Sequence, residues 1–183
     1  MKKVKFTAVA LTLGLLSSVA FAGDEGYTAN EAFQNMLKLE GTWTGESRVV
    51  PVGAAKEDMP TSTTTVTWEN IGFETSIMQT FLAGTPAEMV SMYHQDGPEK
   101  LIHTHYCAAK NQPSMAFRDV AEPGVIDFRF TSGTNMDVNV DGHAHNSSMK
   151  IIDENTYETR TENWSAGKLA SVRYTLMKRV NES

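Results

Sequence analysis

The chain has 183 residues, with 16 Lys and Arg against 22 Asp and Glu, which gives a formal net charge of −6 at pH 7. A surplus of acidic residues repels phosphate backbones and anionic headgroups, so neither nucleic acid nor a membrane surface is an expected partner. The single cysteine, Cys107, excludes an intrachain disulfide, and we expect it to be a small buried hydrophobe. The length fits one folded domain.

The first 22 residues have the pattern of a cleavable export signal. Lysines open the chain, a mostly apolar run follows from 4 to 16, and Ala20-Phe21-Ala22 places small side chains where a signal peptidase cuts. The apolar run is shorter than the roughly 20 residues of a membrane-spanning helix. The sequence therefore predicts a signal peptide over 1–22 and a single domain over 23–183, periplasmic or secreted, without a membrane anchor.

One short helix is expected before the strands begin. Thr28 and Glu31 stand three positions apart, as in a capping box, where each side chain bonds the backbone N–H of the other residue. Phe33, Met36 and Leu37 follow at helical spacing. These residues predict a helix over 29–39.

The rest of the chain has the pattern of short strands separated by turns. Asp96-Gly97-Pro98, Glu122-Pro123-Gly124 and Asp141-Gly142 are the clearest turn signals. Strands are expected over 42–50, 61–70, 73–82, 87–95, 100–108, 114–120, 125–131, 136–140, 143–152, 156–164 and 169–180. Ten or so strands without helices between them indicate an antiparallel sandwich or an up-and-down barrel. We predict the all-β barrel, because closure removes exposed sheet edges and a barrel of this size can hold one small ligand.

The first predicted strand has a recognisable beginning. The segment from Leu39 to Glu46, with Gly41-x-Trp43 after a short helix, resembles the start of calycin-type barrels, the group that contains lipocalins and fatty-acid-binding proteins. Those barrels often carry a basic residue on the last strand. The resemblance implies that Arg173 stacks over Trp43 and that the pair plugs the base of the barrel.

Several segments further along match a more specific pattern. They are Met92-Tyr93-His94 with Asp96-Gly97, Thr104 to Ala109, Asn111-Gln112-Pro113 and His143-Ala144-His145. Together they resemble a family of uncharacterised secreted bacterial proteins with a lipocalin-like barrel of ten strands. The resemblance covers most of the chain after the signal and implies the fold. The chain is also distantly similar to the nitrobindin haem-binding barrels.

Two predicted strands concentrate imidazole and thiol groups. Because alternate residues of a strand share a face, His103, His105 and Cys107 should lie on one face, and His143 and His145 should share another. Zinc and copper prefer such ligands, whereas histidines on a polar face can simply make hydrogen bonds. We expect His105 and at least one of His143 and His145 to meet in one pocket.

Other residues near these strands are candidates for ligand contact. The amides of Asn111 and Gln112 could orient a ligand, or they could fasten a turn. Tyr106 lies between His105 and Cys107. Met92 falls on an adjacent strand, and methionine suits a soft apolar pocket wall as well as a core.

The leading hypothesis is a periplasmic, non-enzymatic barrel that binds a small, mostly apolar molecule. The predicted ligand-binding residues are His105, Tyr106, Cys107, Asn111, Gln112, His143, His145 and Met92. One alternative is a metal- or haem-binding protein that uses His105, His143 and His145. Others are a small hydrolase or isomerase around His105 and Cys107, and a barrel filled by its own side chains. No common catalytic motif is present, and the sequence assigns neither a cofactor nor an oligomeric state.

Overall fold

A computed structural model describes residues 26–120 and 122–180. The elements in chain order are α1 Ala29–Leu37, β1 Gly41–Pro51, a 3-10 turn Lys56–Asp58, β2 Ser62–Ile71, β3 Ser76–Phe81, β4 Met89–Gln95, β5 Leu101–Tyr106, β6 Gln112–Arg118, β7 Val125–Thr134, β8 His143–Asp153, β9 Thr156–Ser165 and β10 Lys168–Arg179. The predicted signal peptide lies outside the described residues. Within those residues, no helix is long and apolar enough to cross a membrane.

The ten strands form one closed antiparallel barrel in which each strand pairs with its neighbours in sequence, and β1 also pairs with β10. Trp43 on β1, for example, stands opposite Val66 of β2 on one side and Arg179 of β10 on the other. Closure leaves none of the ten described strands with a free edge of the sheet. The predicted all-β up-and-down barrel with one short helix is confirmed.

Helix α1 covers one end of the barrel, and we name this the closed end. The predicted capping box is present, since the Glu31 N–H donates to Thr28 Oγ1 at 3.2 Å and the Thr28 N–H donates to Glu31 Oε2 at 2.9 Å. The helix ends at Leu37, two residues earlier than predicted. It buries a face of Ala29, Ala32, Phe33 and Met36 against the barrel core.

The predicted stack of Arg173 on Trp43 is wrong, because Arg179 takes that position. The Arg179 guanidinium lies 4.3 Å from the centre of the Trp43 ring. Its Nε donates to the Glu154 carbonyl at 3.0 Å, and Nη2 donates to the Lys38 carbonyl at 2.9 Å. Because β10 is antiparallel to β1, only its last residue reaches the start of β1. Arg173 lies further from that end and donates to Ser47 Oγ at 3.2 Å.

The strand predicted over 136–140 is also wrong, because these residues form turns. The Asp137 carbonyl accepts from the N–H of Val140 at 3.0 Å and of Asp141 at 2.8 Å. Its side chain accepts from the Asn139 N–H at 2.8 Å. Local side-chain bonds of this kind compete with a strand ladder. Likewise, β3 starts at Ser76 rather than 73, because Phe73 adopts the left-handed region, with φ 56°.

Candidate functional site

A cavity of about 560 Å³ occupies the barrel on the side away from α1. It extends from the buried ring of Tyr93 to strand ends such as Leu82, Met89 and Ser165. We name this the open end. The size falls within the range of about 300–1,000 Å³ that small-molecule sites occupy.

The cavity has two chemically different walls. The imidazole wall, on β3 to β6, comprises Gln79, Phe81, Met89, Ser91, His103, His105, Cys107 and Met115. The hydroxyl wall, on β1 and β8 to β10, comprises Ser47, Ser147, Thr159, Thr161, Asn163 and Thr175. Apolar side chains such as Phe128, Met149 and Met177 line the space between them.

The pairing of β4 with β5 builds the centre of the imidazole wall. Ser91 stands opposite His105, and Tyr93 stands opposite His103. Because alternate residues share a face, these four side chains point inward, and Cys107 continues the row just beyond the end of β5. The predicted common face of His103, His105 and Cys107 is therefore present.

A hydrogen-bonded chain joins the two imidazoles through one hydroxyl. Ser91 Oγ lies 3.0 Å from His103 Nε2 and 2.9 Å from His105 Nδ1. Burial lowers the pKa of His103 to about 3, with the nearby His105 as a second cause, and burial lowers the pKa of His105 to about 4. Both rings are therefore neutral at pH 7, and each carries one hydrogen.

The neighbours of these rings indicate which nitrogen carries that hydrogen. His103 Nδ1 is buried without a hydrogen-bond partner among the described residues. Buried N–H groups without partners are rare, so we place the hydrogen on Nε2, where it can be donated to Ser91. Ser91 can then donate to His105 Nδ1, which leaves the remaining hydrogen of His105 on Nε2. In this arrangement His105 offers an N–H donor to the cavity that it lines.

A second pair of imidazoles lies at the start of β8. The Asp141 carbonyl can only accept, so His143 Nδ1 donates to it at 2.9 Å and His143 Nε2 accepts from His145 Nδ1 at 3.0 Å. The His145 ring stacks between Trp164, at a centroid distance of 3.9 Å, and Phe130, at 4.5 Å. His143 lines the cavity, whereas His145 does not.

His105 and His143 line the same cavity, as predicted for His105 and at least one of His143 and His145, while His145 lies outside it. A β-bulge between Ala144 and Asn146 leaves His145 without a partner on β9 and breaks the alternation there. The described residues contain no group of three or more His, Cys, Asp or Glu side chains that could hold a metal ion.

Two other predicted site residues lie outside the cavity. Tyr106 follows His105 on β5 and is 50% exposed, because the next residue of a strand faces the opposite side. Met92 follows Ser91 on β4 and faces outward for the same reason.

Asn111 and Gln112 fasten the turn between β5 and β6 rather than line the cavity. Asn111 is buried, and its Nδ2 donates to the Gly142 carbonyl at 2.8 Å. Its own carbonyl accepts from the Cys107 N–H at 3.0 Å. Gln112 donates to the Lys110 carbonyl at 3.2 Å. Of the two interpretations offered by the sequence, the one in which these amides hold a turn describes both residues.

Sequence reasoning missed Ser91 and Trp164 as parts of the site. Ser91 could have been found from the Asp96-Gly97 turn, because antiparallel pairing across that turn sets β4 against β5. The position of Trp164 depends on the bulge in β8, and no residue pattern in the sequence marks that bulge.

Comparisons with solved structures agree with the barrel. A Mycobacterium tuberculosis protein, Rv2717c, superposes with a TM-score of 0.54 at 14% identity, over 82% of this chain and 98% of that chain. A Nostoc punctiforme protein of unknown function from the DUF3598 family superposes with a TM-score of 0.52 at 14% identity, over 79% of this chain. The match spans 49% of the Nostoc chain, about half its length. At such low identity these similarities show the fold alone. No protein-family model and no curated protein matches the sequence.

Proposed function

We propose that the protein binds a small, largely apolar organic molecule that carries a hydrogen-bond acceptor, without transforming it. The observation that carries this proposal is the His103–Ser91–His105 chain, which leaves an N–H of His105 available in a cavity with many apolar side chains. A few placed polar groups in a mainly apolar pocket are typical of ligand sites. We further propose that binding occurs after export and cleavage behind Ala22.

The hydroxyl wall supports the same kind of ligand. Thr161 and Thr175 present groups that can donate or accept, and such groups tolerate several ligand orientations. No Asp or Glu is present among the described residues that line the cavity, so the lining supplies no acidic partner for a cationic ligand. The best-fitting occupant is neutral or anionic, with an oxygen acceptor placed against His105.

A hydrolase or isomerase that uses His105 as a base fits the site less well. An effective general base has a pKa near the operating pH, whereas burial lowers the pKa of His105 to about 4. A neutral ring held by Ser91 favours hydrogen bonding over proton abstraction.

The test is binding of the fluorescent probe 1-anilinonaphthalene-8-sulfonate, which joins an apolar body to an anionic acceptor. We expect saturable binding that is lost in Thr161→Trp, because a large ring there would fill the cavity. Glu158→Trp is the matched control, since it adds the same ring to an exposed position of β9. Equal probe affinity in the two variants would contradict binding in the cavity.

A second measurement examines the polar contact and the natural occupant. His105→Leu should weaken probe binding by about tenfold, the cost of roughly one hydrogen bond to a charged group. His94→Leu, on the exposed face of β4, should have no effect. Native mass spectrometry of protein purified from its own host should then show a retained organic mass.

A further inference from the structure

The open end places two sulfur atoms in contact on the imidazole wall, and His105 lines the same wall at the next inward position of β5. Cys107 Sγ lies 3.9 Å from Met89 Sδ. Ser91 pairs with His105, and the same register makes Met89 and Cys107 direct neighbours across β4 and β5. His105 is therefore diagonal to Met89, at a separation that long side chains can bridge.

We propose that Met89, Cys107 and His105 form a binding site for one Cu(I) ion. Thiolate and thioether ligands select Cu(I) among the biological metals, and imidazole also suits copper. Two sulfur atoms that each lie about 2.3 Å from a metal, about 120° apart, are separated by about 4 Å. The observed 3.9 Å between the two sulfurs fits one shared ion.

Ser91 prepares His105 to be the nitrogen ligand. Metal-bound histidines usually donate their second ring N–H to a fixed partner, which orients the ring. Ser91 Oγ is 2.9 Å from His105 Nδ1, and its two lone pairs can accept from both His105 and His103. Copper binding therefore moves the hydrogen of His105 from Nε2, where the metal-free protein carries it, to Nδ1, and the Nε2 lone pair faces the ion.

The binding step needs no oxidant or reductant. The Cys107 thiol releases its proton to solvent, and the thiolate, the Met89 thioether and the His105 nitrogen each donate an electron pair to copper, which stays Cu(I). The described cavity-lining residues include no Asp or Glu, so they supply none of the carboxylate ligands that calcium and magnesium sites commonly use. The donor set therefore favours a soft cation.

The test is anaerobic competition between the purified protein and a chromophoric Cu(I) chelator, with ascorbate present. We expect one Cu(I) per chain in the wild type. Met89→Leu should lower the affinity by at least about tenfold, and Cys107→Ser should lower it further. Met92→Leu is the matched control, because it removes a thioether from the same strand on the outward face. Failure to compete for copper, or equal losses in Met89→Leu and Met92→Leu, would overturn the proposal.

X-ray absorption at the copper edge of the loaded wild type gives an answer that does not depend on variants. The expected signal has two sulfur scatterers at about 2.3 Å and one nitrogen. A shell of only nitrogen and oxygen would overturn the site. The two proposals fail separately, because the fluorescent probe is tested on metal-free protein with Thr161→Trp, which leaves the copper ligands in place.

Discussion

The two ends of the barrel treat their polar groups differently. At the closed end, Trp43 Nε1 donates to the Leu39 carbonyl at 2.8 Å, and Trp68 Nε1 donates to the Tyr157 hydroxyl at 3.0 Å. At the open end, the imidazoles of His103 and His105 share the Ser91 hydroxyl and border the cavity. Unpaired buried polar atoms do not separate the two ends, because His103 Nδ1 and, beside α1, Asn70 Oδ1 both lack a partner among the described residues.

Under the proposed function, this contrast gives the two ends different roles. The closed end satisfies its indole N–H groups internally and packs them with aromatic rings, which is what a stabilising core requires. The open end places neutral imidazoles beside free volume, which is what recognition requires. If the contrast is right, substitutions at the closed end should change folding, and inward substitutions at the open end should change binding.

The largest expected effect is the loss of the Trp43 ring. Its side chain is fully buried, packs edge-on against Tyr157 at 4.7 Å and lies under Arg179. Trp43→Ala should lower the free energy of unfolding by about 3–5 kcal/mol, measured by urea denaturation. Trp164→Ala, which removes a half-buried ring at the open end, should cost about 1–2 kcal/mol. Similar losses in both variants would remove the distinction between the two ends.

Acidification should destabilise the fold through the open end. His103 and His105 have folded-state pKa values of about 3 and about 4, well below the ordinary value of about 6.5. Below pH 6.5 the two imidazoles therefore bind protons in the unfolded chain but not in the folded chain. The free energy of unfolding falls as the pH falls from 6.5 towards the folded-state pKa values. Between pH 7 and pH 5 each ring should cost roughly 2 kcal/mol.

The control for this pH dependence is a variant that keeps the polar contact without the titration. His105→Gln should flatten the stability profile between pH 7 and pH 5 by about half, because one of the two rings is removed. His94→Gln, at an exposed position, should leave the profile unchanged. A wild-type profile that is flat over this range would contradict the burial of neutral imidazoles.

A smaller effect should separate the two arginines of β10. Arg179→Met removes a cation from the face of Trp43 and three bonds to carbonyls, those of Lys38, Glu40 and Glu154, so it should cost about 2 kcal/mol. Arg173→Met removes one bond from an exposed residue to Ser47 and should cost less than about 1 kcal/mol. Thermal midpoints of the two variants measure the difference. A larger loss in Arg173→Met than in Arg179→Met would favour the predicted stack of Arg173 on Trp43.

The barrel was predictable because it depends on local patterns. Turn residues such as Asp96-Gly97 and the capping pair Thr28 and Glu31 act over a few positions, and antiparallel neighbours follow from such turns. Arg173 was chosen wrongly because the choice between two arginines depends on how β10 is aligned with β1. That alignment joins residues far apart in sequence.

The site was predictable only where side chains alternate regularly between the inner and outer faces of a strand. His103, His105 and Cys107 share a face because their strand is regular, whereas the bulge in β8 removed His145 from the cavity. The contacts that give His105 its orientation come from Ser91 on another strand. Sequence pattern identified the right strand, but the pairing of strands decides which atoms meet.

The smallest expected effects concern two residues at the open end that do not line the cavity, Asn111 in a turn and Tyr106 on the outer face. Asn111→Ala removes the bond to the Gly142 carbonyl, so it should cost about 1 kcal/mol in unfolding free energy. Tyr106→Ala, on the outer face, should stay within about 0.5 kcal/mol of the wild type. Neither change should alter the affinity for 1-anilinonaphthalene-8-sulfonate, because neither side chain lines the cavity. A marked loss of probe binding in Tyr106→Ala, with unfolding unchanged, would move the binding surface to the outside of β5 and away from His105.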